Sequence, residues 1–162
     1  MIYQTSIKSP VGGLQITATS DSITSILFRD KNEEQEYEET LNPIIKDCII
    51  QLESYFNGEL KDFTFPMAPE GTAFQKQVWS ALQVIDYGKT LSYMQLSKSL
   101  GNPKAIRAVG TANGMNKIVI AIPCHRVIGS NGSLVGYSGQ LWRKKWLLDH
   151  EAKFQHGVMK LF

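Results

Sequence analysis

Cysteine and histidine are scarce: the chain of 162 residues has two of the first and three of the second. Two distant cysteines make no disulfide framework, so a reduced, cytoplasmic setting is expected. Neither C-x-x-C nor H-x-x-x-H occurs. With no such ligand spacing, neither a metal nor another cofactor is expected. Long apolar runs are missing too; "IVIAIP" is among the longest and is far too short to span a bilayer. The opening "MIYQTSIKSPVGG" shows no basic stretch followed by an apolar one, so neither a secretory leader nor a membrane role is expected. Acidic residues are sparse in one half only. Residues 72–162 hold 3 Asp/Glu against 12 Lys/Arg, a net of +9, whereas residues 1–71 hold 12 against 5, a net of −7. A basic half suits a polyanion, nucleic acid first, although a solvated basic surface has the same composition.

What is present reads as an ordinary globular chain. "LQITAT" and "SITSILF" alternate with period two and are rich in β-formers, which predicts strands of a hairpin or meander, with turns at Gly12-Gly13 and Ser20-Asp21-Ser22. "DKNEEQEYEET" reads as a solvated acidic loop or helix start. "PIIKDCIIQLESYFNG" predicts a helix with Pro43 in its first turn and Gly58 at its stop. Its apolar stripe is Ile45, Cys48, Ile49, Leu52 and Phe56, and Cys48 there is a small packed hydrophobe. "FTFPMAPEGT" has the composition of a linker and divides the chain into an N-terminal α/β domain, residues 1–71, and a second domain, residues 72–162.

The second domain is expected to be mainly helical. Thr72-x-x-Gln75 and Ser92-x-x-Gln95 are capping boxes, and Phe74, Val78, Trp79, Leu82 and Ile85 follow helical spacing. Gly101 suits a C-terminal cap, and Asn102-Pro103 suits an N-cap and first position for "KAIRAVGTAN". Two short helices across a Gly-Asn-Pro turn form a helix-turn-helix candidate. Ile106 and Val109 would face the core, leaving Arg107 among small residues on another side. The last helix, "LWRKKWLLDHE", is expected to turn Leu141, Trp142, Trp146 and Leu148 inward, and Arg143, Lys144 and Lys145 to solvent or phosphate. Glu151 near its end opposes the helix dipole unless a tertiary partner offsets it.

Cys124 stands in "IVIAIPCHRVIG". A packed core cysteine and a nucleophile both fit. His125 and Arg126 are residue types that activate a thiol, and Glu151 is a candidate to orient the imidazole. In extended backbone Cys124 and His125 would point to opposite faces, so a turn after Pro123 or an intervening water is required.

"IPCHRVIG" resembles the active-site motif of the O6-alkylguanine-DNA alkyltransferases, and "FQKQVWSAL", "YGKTLSYMQL", "LGNPKAIRAVGTANGMN", "GYSGQ" and "RKKWLLDHE" resemble that family's blocks in order. The resemblance covers residues 72–151; "SPVGGLQITA" resembles the family's opening strands more weakly. It implies an α/β (α+β) protein: a small ribonuclease-H-like sheet-and-helix domain, then a helical domain with a winged-helix-like helix-turn-helix. It implies a monomer that acts on double-stranded DNA containing O6-alkylguanine, and possible activity on O4-alkylthymine. The base is flipped out and its alkyl group moves irreversibly to Cys124. His125 matches the base that activates the thiol through a water, Glu151 the carboxylate behind it, and Asn116 a brace. Arg107 matches the arginine that replaces the extruded nucleotide, on a helix whose Ala105, Ala108, Gly110 and Thr111 approach the minor groove. Tyr93 matches the tyrosine that assists flipping and donates to the guanine. Tyr137 and Ser138 match the lid, and carbonyls near Cys124 and Val127 the acceptors for the guanine amino group.

Three positions depart from the family's habit: Lys117 and Asp86 stand where proline is common, and Gln140 where glycine is frequent. A lesion-binding sensor without transfer and a Cys-His hydrolase unrelated to DNA are the rival functions.

Overall fold

A computed structural model of the chain describes residues 1–29, 42–134, 137 and 139–156. The acidic run "DKNEEQEYEET" lies outside the described residues, as does Ser138. No helix among the described residues is long and apolar enough to cross a membrane. The chain divides into two compact units, Met1–Glu70 with Lys117–Val119, and Gly71–Asn116 with Ile120–Phe162.

In the first unit, β1 (Tyr3–Ser9), β2 (Gly12–Ala18) and β3 (Ile23–Arg29) form an antiparallel meander in that order. β1 and β2 pair from Tyr3↔Ala18 to Ser9↔Gly12, a register that leaves only two residues for the turn. Gly12, just after those two residues, takes the positive φ, 96°, of a glycine that follows a hairpin turn as a bulge. Alternation puts Leu14, Ile16 and Ala18 on the buried face, where α1 (Pro43–Phe56) covers them. The N-cap of α1 is Asn42, whose side chain accepts from Ile45 N, and Pro43 is in the first turn. Gly58 at φ 79° closes the far end, with Glu59 N donating to Ser54 O at 2.9 Å. Ile45, Cys48, Leu52 and Tyr55 are the helix's fully buried apolar side chains, so Tyr55 fills the place expected for Phe56.

Part of the expected linker is ordered against the sheet. Ile23 N donates to Pro66 O and Ala68 N to Ile23 O, making a parallel bridge between Ile23 and Met67. A second bridge joins Ile26 to Ile118, through Ile26 N to Lys117 O and Val119 N to Ile26 O. Lys117 thus serves the sheet by its carbonyl, a group proline also has.

The second unit holds α2 (Ala73–Leu82), β4 (Leu91–Ser92), α3 (Tyr93–Ser99), α4 (Ile106–Gly114), a 3₁₀ turn at Cys124–Arg126, β5 (Val127–Ile128) and α5 (Leu141–His156). β4 and β5 pair in parallel, Leu91↔Val127 and Ser92↔Ile128. Both capping boxes form, at Thr72/Gln75 and Ser92/Gln95. Trp79 Nε1 donates to Ala112 O at 2.9 Å and fastens α4 to α2.

α3 ends at a Schellman turn: Gly101 has φ 76°, Gly101 N donates to Lys98 O and Asn102 N to Ser97 O. The next helix does not begin at Asn102-Pro103. Those residues form a turn closed by Ala105 N to Asn102 O, and α4 starts at Ile106 behind an Ala105 N-cap that makes no side-chain cap bond. Helix α4 packs on α2 and α3 and buries Val109 and Ala112, whereas Ile106 is only half-buried.

α5 corrects the charge reading of "LWRKKWLLDHE". Leu141 and Trp142 are about half exposed, while Arg143, Lys144, Leu147, Leu148 and Glu151 are buried. Gln140, just before the helix, has φ 78°, which explains why glycine suits that position. Its carbonyl accepts from Arg143 N, and its side-chain Oε1 from Trp142 Nε1.

Candidate active site

The site begins with a sharp change of chain direction. Pro123, at φ −83° and ψ 64°, is the centre of an inverse γ-turn in which Cys124 N donates to Ile122 O at 2.8 Å. Arg126 N then donates to Pro123 O, so Cys124, His125 and Arg126 make one 3₁₀ turn. This turn removes the opposition of neighbouring side chains that extended backbone imposes. All three side chains are buried.

The turn faces Glu151 on α5, 26 residues away from His125 in sequence. His125 Nε2 lies 2.6 Å from Glu151 Oε2. Arg126 donates Nε to Oε1 at 2.7 Å and Nη2 to Oε2 at 3.2 Å, and its Nη1 donates to Ile85 O. Gly88 N adds a fourth donor to the carboxylate at 3.2 Å. Glu151 is fully buried with every donor in place, the condition under which a buried charge is tolerated. Burial alone would raise its carboxyl pKa, but His125 and Arg126 outweigh that and hold it well below the usual carboxylate range. The tertiary partner that the sequence called for is present, α5 runs on to His156, and Glu151 is the hub of a relay.

Burial pushes the His125 imidazole below its ordinary 6.5, against the pull of Glu151. The ring is therefore neutral at pH 7. With Nε2–H donated to the carboxylate, Nδ1 carries the lone pair, and it is buried without a protein partner among the described residues.

Burial also raises the Cys124 thiol from 9.0 to about 11, only partly offset by a hydrogen bond from Asn116 and the charge of Lys144. At neutral pH the resting group is a thiol and needs a base. Asn116 braces the loop as well, donating Nδ2 to Ile122 O at 2.7 Å.

Lys144 was expected at solvent or phosphate. It is instead fully buried, donating Nζ to Val127 O at 2.6 Å beneath the rings of Tyr93 and Tyr137, 5.8 and 6.0 Å from their centroids. Desolvation lowers its pKa from 10.5 to about 8, so it keeps a cation beside Cys124 at neutral pH. One sequence signal points to this. Lys144 is seven positions before Glu151 and four before Leu148, on the stripe that faces inward. Arg143, also buried, donates Nη1 to Gly139 O at 2.9 Å and so ties Gly139 to α5.

Tyr93 opens α3 and is half-buried; burial raises its hydroxyl pKa, and Cys124 adds to that. Tyr137 is buried, and burial raises its hydroxyl well above 10.0. The other predicted residues lie on α4. Arg107, Ala108 and Thr111 are exposed on it, Gly110 and the capping Ala105 half-exposed, so one arginine stands on a surface of small side chains. Asn113, on the opposite, buried face of α4, was not singled out by sequence; its Nδ2 donates to Cys124 O.

This arrangement places a buried thiol and a neutral imidazole in one turn, with a carboxylate that orients the ring and a cation that acts on the sulfur. It can form a thiolate and let it attack an electrophilic carbon in a site closed to bulk water. Among the described residues no cluster of His, Cys, Asp and Glu could hold a metal ion.

Known proteins match the chain over both units. The family "6-O-methylguanine DNA methyltransferase, ribonuclease-like domain" matches residues 2–69, and "6-O-methylguanine DNA methyltransferase, DNA binding domain" matches residues 73–153. The methylated-DNA–protein-cysteine methyltransferase of Methanosarcina acetivorans is 42% identical over 153 residues, covering 93% of this chain and 98% of its own. The protein of the same name from Mycolicibacterium paratuberculosis is 41% identical over 164 residues, 100% of this chain and 99% of its own. Among solved structures, Mycobacterium tuberculosis OGT in complex with DNA is similar with a TM-score of 0.84 and 39% identity, covering 94% of each chain.

Proposed function

The chain belongs to the 6-O-methylguanine DNA methyltransferase family, and from that premise we propose how its residues carry out the reaction. The protein is a DNA repair enzyme with the activity its relatives are named for, transfer of a methyl group from methylated DNA to a protein cysteine. The acceptor is Cys124 and the substrate is O6-alkylguanine in duplex DNA. The observation that carries this reading is the 2.6 Å contact between His125 Nε2 and Glu151 Oε2, which fixes a neutral imidazole on the residue that follows Cys124, in the same buried turn.

The damaged base leaves the stack, with Arg107 taking its place from the exposed face of α4. Small neighbours at Ala105, Ala108, Gly110 and Thr111 let the helix approach the groove, and the basic second half supplies phosphate contacts. His125 Nδ1 takes the Cys124 proton through a water, while Glu151, itself held by Arg126, fixes the ring and stabilises its charge. Glu151 is thus a positioning residue. The sulfur attacks the alkyl carbon, a carbon–sulfur bond forms, and the bond from that carbon to O6 breaks. The electron pair stays with the purine, which takes a proton as it departs, with Tyr93 as donor. Lys144 favours the anionic states on this path by charge. Tyr137 and Ser138 cover the base.

The product is a thioether, and no group in the site hydrolyses one. Each molecule therefore reacts once, as a monomer on one lesion. Incubation with a duplex containing O6-methylguanine should add one methylene to the intact mass, saturating at one per chain, with peptide mapping at Cys124. Repeated turnover by unmodified protein, as a hydrolase would give, or lesion binding without an adduct, overturns the reading.

A further inference from the structure

Asn113 is fully buried on α4, and its carbonyl Oδ1 has no hydrogen-bond partner among the described residues. Buried amides are normally satisfied at both ends, so an unmatched acceptor calls for a reason. Its other end points at the nucleophile: Nδ2 donates to Cys124 O, at a long 3.4 Å. The same carbonyl also receives Val127 N–H, so both of its acceptor positions are taken. Asn113 further acts on Tyr93 as a side-chain hydrogen-bond partner. One amide therefore interacts with both Cys124 and Tyr93.

A donor arriving on the base at Cys124 O has to displace or share a bond there, and the side-chain bond of Asn113, at 3.4 Å, is a long one. Next to it the unpartnered Oδ1 offers a second acceptor. We propose that Asn113 is a specificity-determining residue: it reads the exocyclic amino group of the flipped purine through Oδ1 and through the Cys124 carbonyl it holds. This rests on the reading of Cys124 as alkyl acceptor for guanine. A leucine in its place would fill the volume but present no acceptor, and would leave the carbonyl unheld.

The test compares two free substrates, O6-benzylguanine and O6-benzylhypoxanthine, which differ only in the 2-amino group and need no base flipping. For Asn113→Leu, the wild-type preference for the guanine compound should fall on the order of tenfold, the worth of about one hydrogen bond. The transfer rate with the hypoxanthine compound should stay within a few-fold of wild type. A general structural fault would slow both substrates alike, and equal losses, or an unchanged ratio, overturn the proposal. Thermal unfolding checks the fold; should the leucine variant fail to fold, Asn113→Ser, which is smaller and cannot reach the same acceptor position, is measured for the same ratio. If the wild-type protein gains no benzyl adduct at Cys124, the reading of the reaction itself fails, and that outcome is distinct.

Discussion

Cys48 and Cys124 are both buried, 0% and 2% exposed, and burial raises both thiols, to about 12 and about 11. Burial therefore does not tell the packed cysteine from the reactive one. Their neighbours do. Cys48 sits on the apolar stripe of α1 with Ile45 and Leu52, and the charge that acts on it, Asp47, opposes a thiolate. Cys124 has a donor in Asn116, a cation in Lys144 and a neutral imidazole backed by Glu151 and Arg126. A cysteine becomes a reagent when a route exists for its proton and a charge exists for its anion, even at a site that disfavours the thiolate at rest.

The widest break in that comparison is Cys124→Ala. It should abolish the mass gain on methylated duplex while thermal unfolding stays close to wild type, since a small apolar side chain replaces another. Next is Glu151→Gln, which removes the hub charge but keeps the shape. Transfer should slow by about 10²-fold or more, the lower end of a general-base contribution. The folded state should lose up to ~3–5 kcal/mol in denaturant titration, because Arg126 is left buried without its counter-charge.

The pH profile tests the proton route. A hydroxide-dependent thiol with a pKa of about 11 would react tenfold faster per pH unit. With His125 as base, the rate should instead level off near neutral pH, falling on the acid side as the ring protonates below its ordinary 6.5 and on the alkaline side as Lys144, at about 8, loses its charge. Stability follows the same sign. His125 and Glu151 both have folded values below their unfolded ones, so the folded state binds fewer protons. The contribution of these two groups is full above the ordinary imidazole range and is lost on acidification, first through His125 and then through the carboxylate.

Lys144→Met should slow transfer about tenfold by removing the cation beside the sulfur, and shift thiol alkylation by a small reagent to higher pH. An unchanged profile would show that Lys144 only holds Val127 O. The smallest effect belongs to the other cysteine. Cys48→Ser should leave the transfer rate unchanged and cost ~1–3 kcal/mol of stability, as a hydroxyl replaces a thiol in an apolar stripe.

Much of this was legible before folding was considered. The strands around "LQITAT" and "SITSILF" announce themselves by period two, and β2 and β3 pair antiparallel. Thr72/Gln75 and Ser92/Gln95 form their capping boxes because a cap needs only residues three apart. Gly101 caps α3 for a similarly local reason, its positive φ. Where the local signals competed, reading failed: Asn102-Pro103 looks like a helix start, yet the packing of α4 on α3 and Trp79's bond to Ala112 O suit a start at Ile106.

The sequence by itself determined the local grammar, the charge asymmetry and the identity of the reactive motif, since these depend on neighbours within a few positions. The tertiary structure alone decided which charges go inside. Arg143 and Lys144 read as surface residues because a buried cation is tolerable only with acceptors in reach, and theirs, Gly139 O and Val127 O, are backbone atoms that composition does not reveal. The same holds for Glu151, whose four donors come from His125, Arg126 and Gly88. It holds again for Asn113, whose reach to Cys124 O depends on where α4 comes to rest. A side chain states what it can donate or accept; only the folded chain supplies the partner.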